Sequence, residues 1–289
     1  MDNLTKQNDY KTPFKGQGVE YPILFSTPMV QAILEGRKTH TRRILKVKGC
    51  RPFVPDSNWT IEDIERWNKN FHSYGQSGDL LWVRESHRKI LSGYIYRANP
   101  DEAAAWPVGW KPSIHMPKAA ARIWLQTTAI RAERVADISE EDCIAEGIRF
   151  NSIFYKYECP ICDHFGHSGK SNICEDGFYS DAKSAFKELW NAINGKPSPI
   201  QKKINGKLTT VGYICFPFDE ESAQPYAGKT IWRNKPLTVI INPWVHVIEF
   251  TTLSTIGKPQ LKSSRGNYLV NPIAPGSEGI NATAKIIQS

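Results

Sequence analysis

The hydrophobic pattern of this chain predicts short strands separated by only a few helices. Apolar or alternating runs typical of strands occupy residues 23–25, 78–86, 121–135 and 242–250, the third of them as one long strand or two short ones. No internal repeat stands out. The pattern therefore favours an α+β fold in which the strands build a small β-barrel with flanking helices.

Three helices are predicted from apolar spacing and capping residues. The first begins at Ser26 or Thr27, carries a proline at its first position and ends at Gly36. A short acidic helix is expected within residues 137–148, and an amphipathic helix over residues 181–195. The apolar face of the last helix comprises Phe186, Leu189, Trp190 and Ile193.

Composition predicts one main domain with polar additions. Residues 1–20 are polar and predict a flexible N-terminal segment, whereas residues 251–289 are rich in Gly, Pro, Ser, Asn and Thr and predict a C-terminal tail. Residues 21–250 form the predicted domain, which two insertions interrupt. The insertion at residues 150–180 contains clustered cysteines, and the one at residues 197–235 contains an Asn-Gly turn that predicts a hairpin.

The charge of the chain favours an anionic partner. It has 37 lysines and arginines against 29 aspartates and glutamates, a net charge of +8 over 289 residues. Nucleic acid is the commonest partner of such a protein, and solubility alone is the alternative interpretation. The N-terminus has no apolar signal-peptide core, and no window approaches ~18 consecutive apolar residues. We therefore expect a cytoplasmic protein without a membrane span, and the sequence leaves its oligomeric state open.

Cysteines in a chain without an export signal are expected to stay reduced, and a reduced cluster indicates metal binding. The segment CPICDHFGHSGKSNIC places Cys159, Cys162, His167 and Cys174 at short spacing, with His164 as a competing ligand. Three thiolates and one imidazole make a closed tetrahedral set, so the predicted zinc ion is structural. The alternative is a flexible loop whose cysteines are unrelated.

The stretch ILEGRKTHTRR, residues 33–43, concentrates charge and hydroxyl groups directly after the first helix. In one interpretation, its arginines and lysine form a basic face for a phosphate backbone together with Lys46, Lys48 and Arg51, and its threonines are ordinary strand residues. In the other, the same groups line a pocket. There the arginines hold an oxyanion or a phosphate, and a lysine with a lowered pKa activates a threonine hydroxyl. The residues alone leave both interpretations open.

Five blocks follow one another along the chain: PILFSTPMVQAILEGRKTHTRR, GDLLWVRES, ISEEDCIAEGI, FKELWNAING and NPWVHVIEF. In this order they resemble the ASCH-domain proteins, and more narrowly the large ASCH-type proteins encoded by bacteriophages and prophages. The resemblance covers residues 21–250 in blocks and excludes both insertions and both tails. It implies a PUA-like β-barrel, from a superfamily whose members bind RNA or modified bases, and a bacterial host cell.

The basic stretch is also similar to the active-site motif of the bacterial N4-acetylcytidine amidohydrolases, small members of this superfamily. Their motif, Gly-Arg-Lys-Thr-x-Thr-x-Arg, falls on residues 36–43, although the present chain is far larger. The resemblance implies Lys38 as proton acceptor, Thr41 as nucleophile and Glu146 as proton donor. An aromatic side chain near such a site can stack on a base. The predicted ligand-binding residues are Arg37, Arg42, Arg43, Trp82 and Arg84.

Three functional hypotheses follow. The first is an RNA- or nucleotide-binding ASCH-type protein of phage or prophage origin, which predicts a continuous basic surface. The second is an amidohydrolase that removes an N-acyl group from a modified pyrimidine nucleoside, which predicts that Lys38, Thr41 and Glu146 converge. The third is a phage morphogenesis protein that uses the barrel as an interaction module, which predicts an exposed apolar patch or a large symmetric interface.

Overall fold

The computed structural model describes residues 18–45, 60, 62, 74–152, 156–158 and 178–259. Within these ranges the chain is a mixed α+β protein with several sheets and few helices. The described strands are β1 (Glu20–Leu24), β2 (His40–Ile44), β3 (Leu80–Arg84), β4 (His87–Ile90), β5 (Gly93–Tyr96), β6 (Trp124–Arg134), β7 (Arg149–Asn151), β8 (Lys156–Glu158), β9 (Phe178–Tyr179), β10 (Ser198–Ile204), β11 (Lys207–Cys215), β12 (Ile231–Trp232), β13 (Lys235–Val239) and β14 (Trp244–Ser254). The described α-helices are α1 (Thr27–Leu34), α2 (Pro100–Ala105), α3 (Glu140–Ala145), α4 (Ala182–Trp190) and α5 (Glu220–Ala223).

The main sheet has five strands in the order β1-β3-β6-β14-β2. Only β1 and β3 run parallel; the other neighbours are antiparallel. Residues 121–135 contribute one long strand, β6, rather than two short ones, because it pairs with β14 along most of its length. Strand β14 continues to Ser254, past the predicted end at residue 250. These two strands form the centre of the sheet.

The main sheet is strongly curved. In a flat sheet, strands spaced at ~4.8 Å would hold β1 and β2 about 19 Å apart. Instead, the guanidinium of Arg43 on β2 donates to the carbonyl oxygen of Leu24 on β1 at 2.6 Å and lies 5.1 Å from the Phe25 ring centroid. The sheet encloses an apolar cluster of Ile23, Phe25, Val30, Ile33, Leu81, Val83, Ala98, Ile123, Leu125, Ile248 and Phe250. Among the described strands, β1 and β2 share no backbone ladder, so a closed barrel stays a prediction.

Helices α1 and α3 form where the capping residues predict them. Ser26 precedes α1, with proline in its first turn, and Gly36 follows at a φ of +74°. The Ser139 hydroxyl accepts a hydrogen bond from the Asp142 amide at the start of α3. Glycine at φ +100° follows α3 at position 147. A positive φ is strained for other residues, so each glycine ends its helix sharply.

The predicted helix over residues 181–195 divides into two parts. Helix α4 ends at Trp190, and a π-helical turn covers Asn191–Gly195. Phe186, Leu189 and Trp190 are buried as predicted. The prediction for Ile193 is wrong, because this side chain is half exposed. Ile193 lies in the π turn, where the α-helical spacing no longer places it on the apolar face. Beyond this turn the apolar periodicity of α4 no longer decides which side chains are buried.

The segment predicted as a hairpin insertion forms a small sheet in the order β10-β11-β13-β12. The predicted hairpin is present between β10 and β11. Its turn consists of Asn205 and Gly206, with φ values of 48° and 80°. Positive φ at both positions is what a two-residue type I′ turn requires, and Asn-Gly supplies it with little strain. Strand β13 joins β11 in parallel and extends the hairpin into a sheet.

Candidate functional site

Lys38 lies in the short connection between α1 and β2. Its amide donates to the Ala32 carbonyl at 3.0 Å, and the next amide, that of Thr39, donates to the Ala145 carbonyl at 2.8 Å. The ammonium donates to the Glu146 carbonyl at 2.7 Å and to the carboxylate Oε2 of the same residue at 2.6 Å. Since the Lys38 side chain is 0% exposed, this contact is shielded from solvent. The structure therefore brings two of the three predicted catalytic residues together.

Glu146 reaches Lys38 because a glycine follows it. A Cβ added at Gly147 would lie 3.0 Å from the Cβ of Ala32 and 3.3 Å from the Cβ of Lys38. Both the positive φ and this close approach favour glycine at the position. The end of α3 can thus pack directly against the end of α1, and the Glu146 carboxylate lies 4% exposed beside the lysine.

Arg42 binds three carboxylates at once. Its Nε donates to Glu133 at 2.7 Å, one terminal nitrogen donates to Asp142 at 2.6 Å, and the other donates to Glu146 at 3.2 Å. Arg131, which is paired to Glu133 and Asp142, extends the network toward the surface. We call these residues the buried ion cluster: Lys38, Arg42, Arg131, Glu133, Asp142 and Glu146. Of these six residues, Lys38, Arg42 and Glu146 are buried, whereas Arg131, Glu133 and Asp142 are partly exposed. Arg131 also pairs with a further carboxylate, that of Glu249.

Burial lowers the pKa of the Lys38 ammonium, and the positive charges of Arg43 and Arg42 act in the same direction. Glu146 opposes the shift through its charge and its hydrogen bond, but the desolvation of a fully buried cation outweighs it. A lysine with a lowered pKa loses its proton more readily and can then act as a base.

Thr41 is buried on β2, opposite Ile248 of β14. Side chains alternate along a strand, so Thr41 points away from Arg42, toward the cluster that contains Ile248 and Phe25. Lys38 borders the same cluster, with its ammonium 5.8 Å from the Phe25 ring centroid. Among the residues that the structure describes, the Thr41 hydroxyl makes no hydrogen bond to Lys38 or to Glu146. The third predicted catalytic residue therefore faces the same apolar cluster as Lys38 but is not hydrogen-bonded to the other two.

The described part of the predicted basic face is largely occupied by contacts within the protein, whereas Lys46, Lys48 and Arg51 lie outside the described residues. Arg37 donates to the Gly147 carbonyl at 2.5 Å and pairs with Glu35 at 2.7 Å. Arg43 binds the carbonyl of Leu24, and Arg42 is buried among carboxylates. These arginines position α3 and the edges of the sheet, which leaves less free charge for a phosphate backbone than the sequence predicts.

Trp82 and Arg84 lie in a second cluster that the sequence pattern did not predict. The Arg84 guanidinium lies 5.6 Å from a Trp82 ring centroid and donates to the Ile114 carbonyl. Beside them, the buried Glu85 carboxylate accepts two hydrogen bonds from Arg122, at 2.9 and 3.0 Å. Strand β3 is three strands from β2 in the sheet order. Among the described residues, no hydrogen bond or ion pair joins these side chains to the buried ion cluster.

Burial raises the pKa of the Glu85 carboxyl group, although Arg122 opposes the shift. The Arg122 guanidinium lies 4.2 Å from the Tyr96 ring centroid, so the pair is held on several sides. The only sequence signal for Glu85 is its position as an acidic residue directly after strand β3. Its partner, 37 positions later, has no signal of its own.

The predicted zinc ligands, Cys159, Cys162, His167 and Cys174, lie outside the described residues. Within the described ranges, no group of three or more His, Cys, Asp or Glu side chains is arranged to hold a metal ion. The same part of the chain contains no helix with the length and apolar composition needed to cross a membrane.

The geometry thus defines one candidate site, the buried ion cluster, and one separate buried pair, Glu85 with Arg122. Thr41 faces the apolar cluster that Lys38 also borders. Comparison of the chain with protein-family models, with curated proteins and with solved structures gave no match.

Proposed function

We propose that this chain is an ASCH-type protein that binds a nucleobase-containing ligand, RNA or a nucleotide, at the buried ion cluster. The observation that carries the proposal is the burial of Lys38 and Arg42 among carboxylates at the junction of α1, β2 and α3. Buried charge of this kind often stabilises a fold less than apolar packing would, and perturbed buried groups concentrate at functional sites. The resemblance to ASCH-domain proteins supplies the class of ligand.

Hydrolysis of an N-acyl group from a modified pyrimidine nucleoside is the second candidate, and the contact between Lys38 and Glu146 favours it. Deprotonated Lys38 would take the proton of the Thr41 hydroxyl, whose oxygen would attack the acyl carbon. This proton would pass from Lys38 to the Glu146 carboxylate across their hydrogen bond, and Glu146 would deliver it to the leaving amino group of the base. Water would then release the acyl group from the threonine. This order requires a movement that brings the Thr41 hydroxyl to the lysine.

Release of free cytidine from N4-acetylcytidine, followed by liquid chromatography, separates the two candidates. Hydrolysis predicts turnover by the wild type and loss of turnover in Lys38→Ala and Thr41→Val, with circular dichroism confirming the fold of each variant. Binding without chemistry predicts no turnover, together with an increase in melting temperature when a cytidine nucleotide is added. Absence of both responses for a panel of nucleosides, nucleotides and RNA oligomers would contradict both candidates.

We also propose a structural zinc ion bound by Cys159, Cys162, His167 and Cys174, on the basis of their types and spacing. Elemental analysis of the purified protein would detect zinc in the wild type and a strongly reduced content in Cys159→Ser. Equal zinc content in the two proteins, or none in either, would contradict this ligand set.

A further inference from the structure

The small sheet β10-β11-β13-β12 carries a concentrated positive charge. Residues 196–218 and 227–239 contain six lysines and one arginine, and no aspartate or glutamate. These cations are Lys196, Lys202, Lys203, Lys207, Lys229, Arg233 and Lys235. All seven side chains are exposed. We call these two ranges the basic lobe.

The two hairpins bring the charges together. Lys202 and Lys203 pair with Thr209 and Leu208 across the β10–β11 ladder, and Lys207 pairs with Ile204 beside the turn. Neighbouring strands lie about 4.8 Å apart, so these three ammonium groups share the end of one hairpin. At the second turn, between β12 and β13, Arg233 is followed by Asn234 and then by Lys235. The turns of both hairpins are therefore positively charged.

Cations elsewhere in the described chain are often neutralised by nearby carboxylates. Lys187 pairs with Asp219 and Glu221 beside α5, and Lys118 and Lys258 both pair with Glu20. Within the described residues, by contrast, none of the seven cations of the basic lobe forms an ion pair. Unpaired charges of one sign repel one another, and an external polyanion would relieve this repulsion.

Aromatic side chains lie beside these cations. The half-buried Trp232 packs edge-on against Tyr226, with ring centroids 5.8 Å apart, and the Lys229 ammonium lies 5.9 Å from a Trp232 ring centroid. A combination of cations that bind phosphates and aromatic rings that stack on bases is typical of surfaces that bind single strands. A duplex keeps its bases stacked internally and cannot use such rings in the same way.

We propose that the basic lobe binds a single-stranded nucleic acid through its phosphate backbone, with Trp232 as a contact for a base. The lobe shares no residue with the buried ion cluster. Binding at the lobe would place a polynucleotide on the protein whether or not the buried cluster acts on a nucleobase. The two proposals can therefore fail separately.

The test is fluorescence anisotropy with labelled 20-nucleotide RNA and DNA single strands and the matching duplexes, at several salt concentrations. The test variant is Lys202→Gln/Lys203→Gln/Lys207→Gln. Its control is Lys89→Gln/Lys111→Gln/Lys258→Gln, which removes the same charge from exposed positions outside the lobe. All six substituted side chains are exposed, and melting temperatures would confirm that both variants fold.

We expect wild type and control to bind single strands with similar affinity. The test variant should bind at least about tenfold more weakly. The dependence of log K on log salt concentration should become shallower by roughly 2, because each lost phosphate contact removes ~0.7 from the slope. RNA binding alone, or RNA and DNA binding together, would identify the natural ligand class within this proposal. Equal losses in the two variants, no binding by the wild type, or equal affinity for duplexes would overturn it.

Discussion

Two buried ion pairs in this protein differ in how completely each partner is occupied. Glu85 and Arg122 form a bidentate pair, in which two carboxylate oxygens accept from two guanidinium nitrogens. Glu146 instead divides its carboxylate between Lys38 and Arg42, at 2.6 and 3.2 Å. In the first pair, both carboxylate oxygens of Glu85 are bound by the same partner, Arg122. The second belongs to a larger network in which one member, Lys38, has a lowered pKa.

This difference indicates different roles. A bidentate arginine–carboxylate pair has fixed geometry and is suited to holding β3 against the segment before β6. A lysine is a point charge that loses its proton more readily when buried, so the Lys38–Glu146 contact is suited to proton transfer or to exchange with a ligand. These differences support the proposal that the buried ion cluster is functional and that the Glu85–Arg122 pair is structural.

The largest effect is expected for Glu146→Ala. The substitution leaves the buried Lys38 and Arg42 without one shared carboxylate, and breaking a buried pair in this way costs about 3–5 kcal/mol. Urea denaturation would measure the loss in the free energy of unfolding. Glu141→Ala is the matched control, because Glu141 is exposed in α3, the helix that ends directly before Glu146. A similar loss in both variants would contradict the special position of Glu146.

A smaller effect is expected for Arg122→Lys. Lysine keeps the positive charge beside Glu85 but replaces the planar fork by a single ammonium, so one charged hydrogen bond is lost at a cost of about 1.5–3 kcal/mol. Thermal and urea unfolding would detect this loss. If the pair is only structural, binding of nucleosides or nucleotides should remain at the wild-type level. Loss of ligand binding in a folded Arg122→Lys protein would remove the distinction between the two pairs.

The contributions of Lys38 and Glu85 to the free energy of unfolding should depend on pH in opposite directions, which provides a finer test. The folded state holds the Lys38 proton less tightly than the unfolded chain, so this group makes stability rise with pH from its lowered pKa up to about 10.4. The folded state holds the Glu85 proton more tightly, so this group makes stability fall as pH rises above about 4.3.

Each slope is isolated by subtracting a variant that lacks the group. The wild type should gain stability relative to Lys38→Met as pH rises through the alkaline range. It should lose stability relative to Glu85→Gln as pH rises from the acidic range. Chemical denaturation at a series of pH values would measure both differences, and a slope of the opposite sign would contradict the assigned direction of that pKa shift.

Local signals predicted much of the fold around the site. Serine caps and terminal glycines placed α1 and α3, and the Asn-Gly pair placed the β10–β11 turn. These features depend on neighbouring residues, so the sequence specifies them directly. The π turn after Trp190, which exposes Ile193, does not follow from the apolar periodicity, because it changes the number of residues per turn.

The partners within the site were much less accessible to sequence reasoning. The resemblance to ASCH-domain proteins indicated Lys38 and Glu146 together, but nothing in the sequence indicated that Arg42 binds Glu133 and Asp142, which are 91 and 100 positions away. The same holds for Glu85 and Arg122. Long-range ion pairs such as these depend on how the curved sheet brings α3 against β2. A charged residue in the sequence does not indicate which distant residue the fold will bring beside it.

The most direct test of the central claim is isothermal titration of N4-acetylcytidine and cytidine monophosphate into the wild type and into Lys38→Met/Glu146→Gln. This double variant removes one buried positive and one buried negative charge, so its fold should be retained, as circular dichroism would verify. We predict measurable binding of at least one of the two ligands by the wild type and its loss in the double variant. Equal binding by both proteins, or no binding by the folded wild type, would contradict the claim that the buried ion cluster is the ligand site.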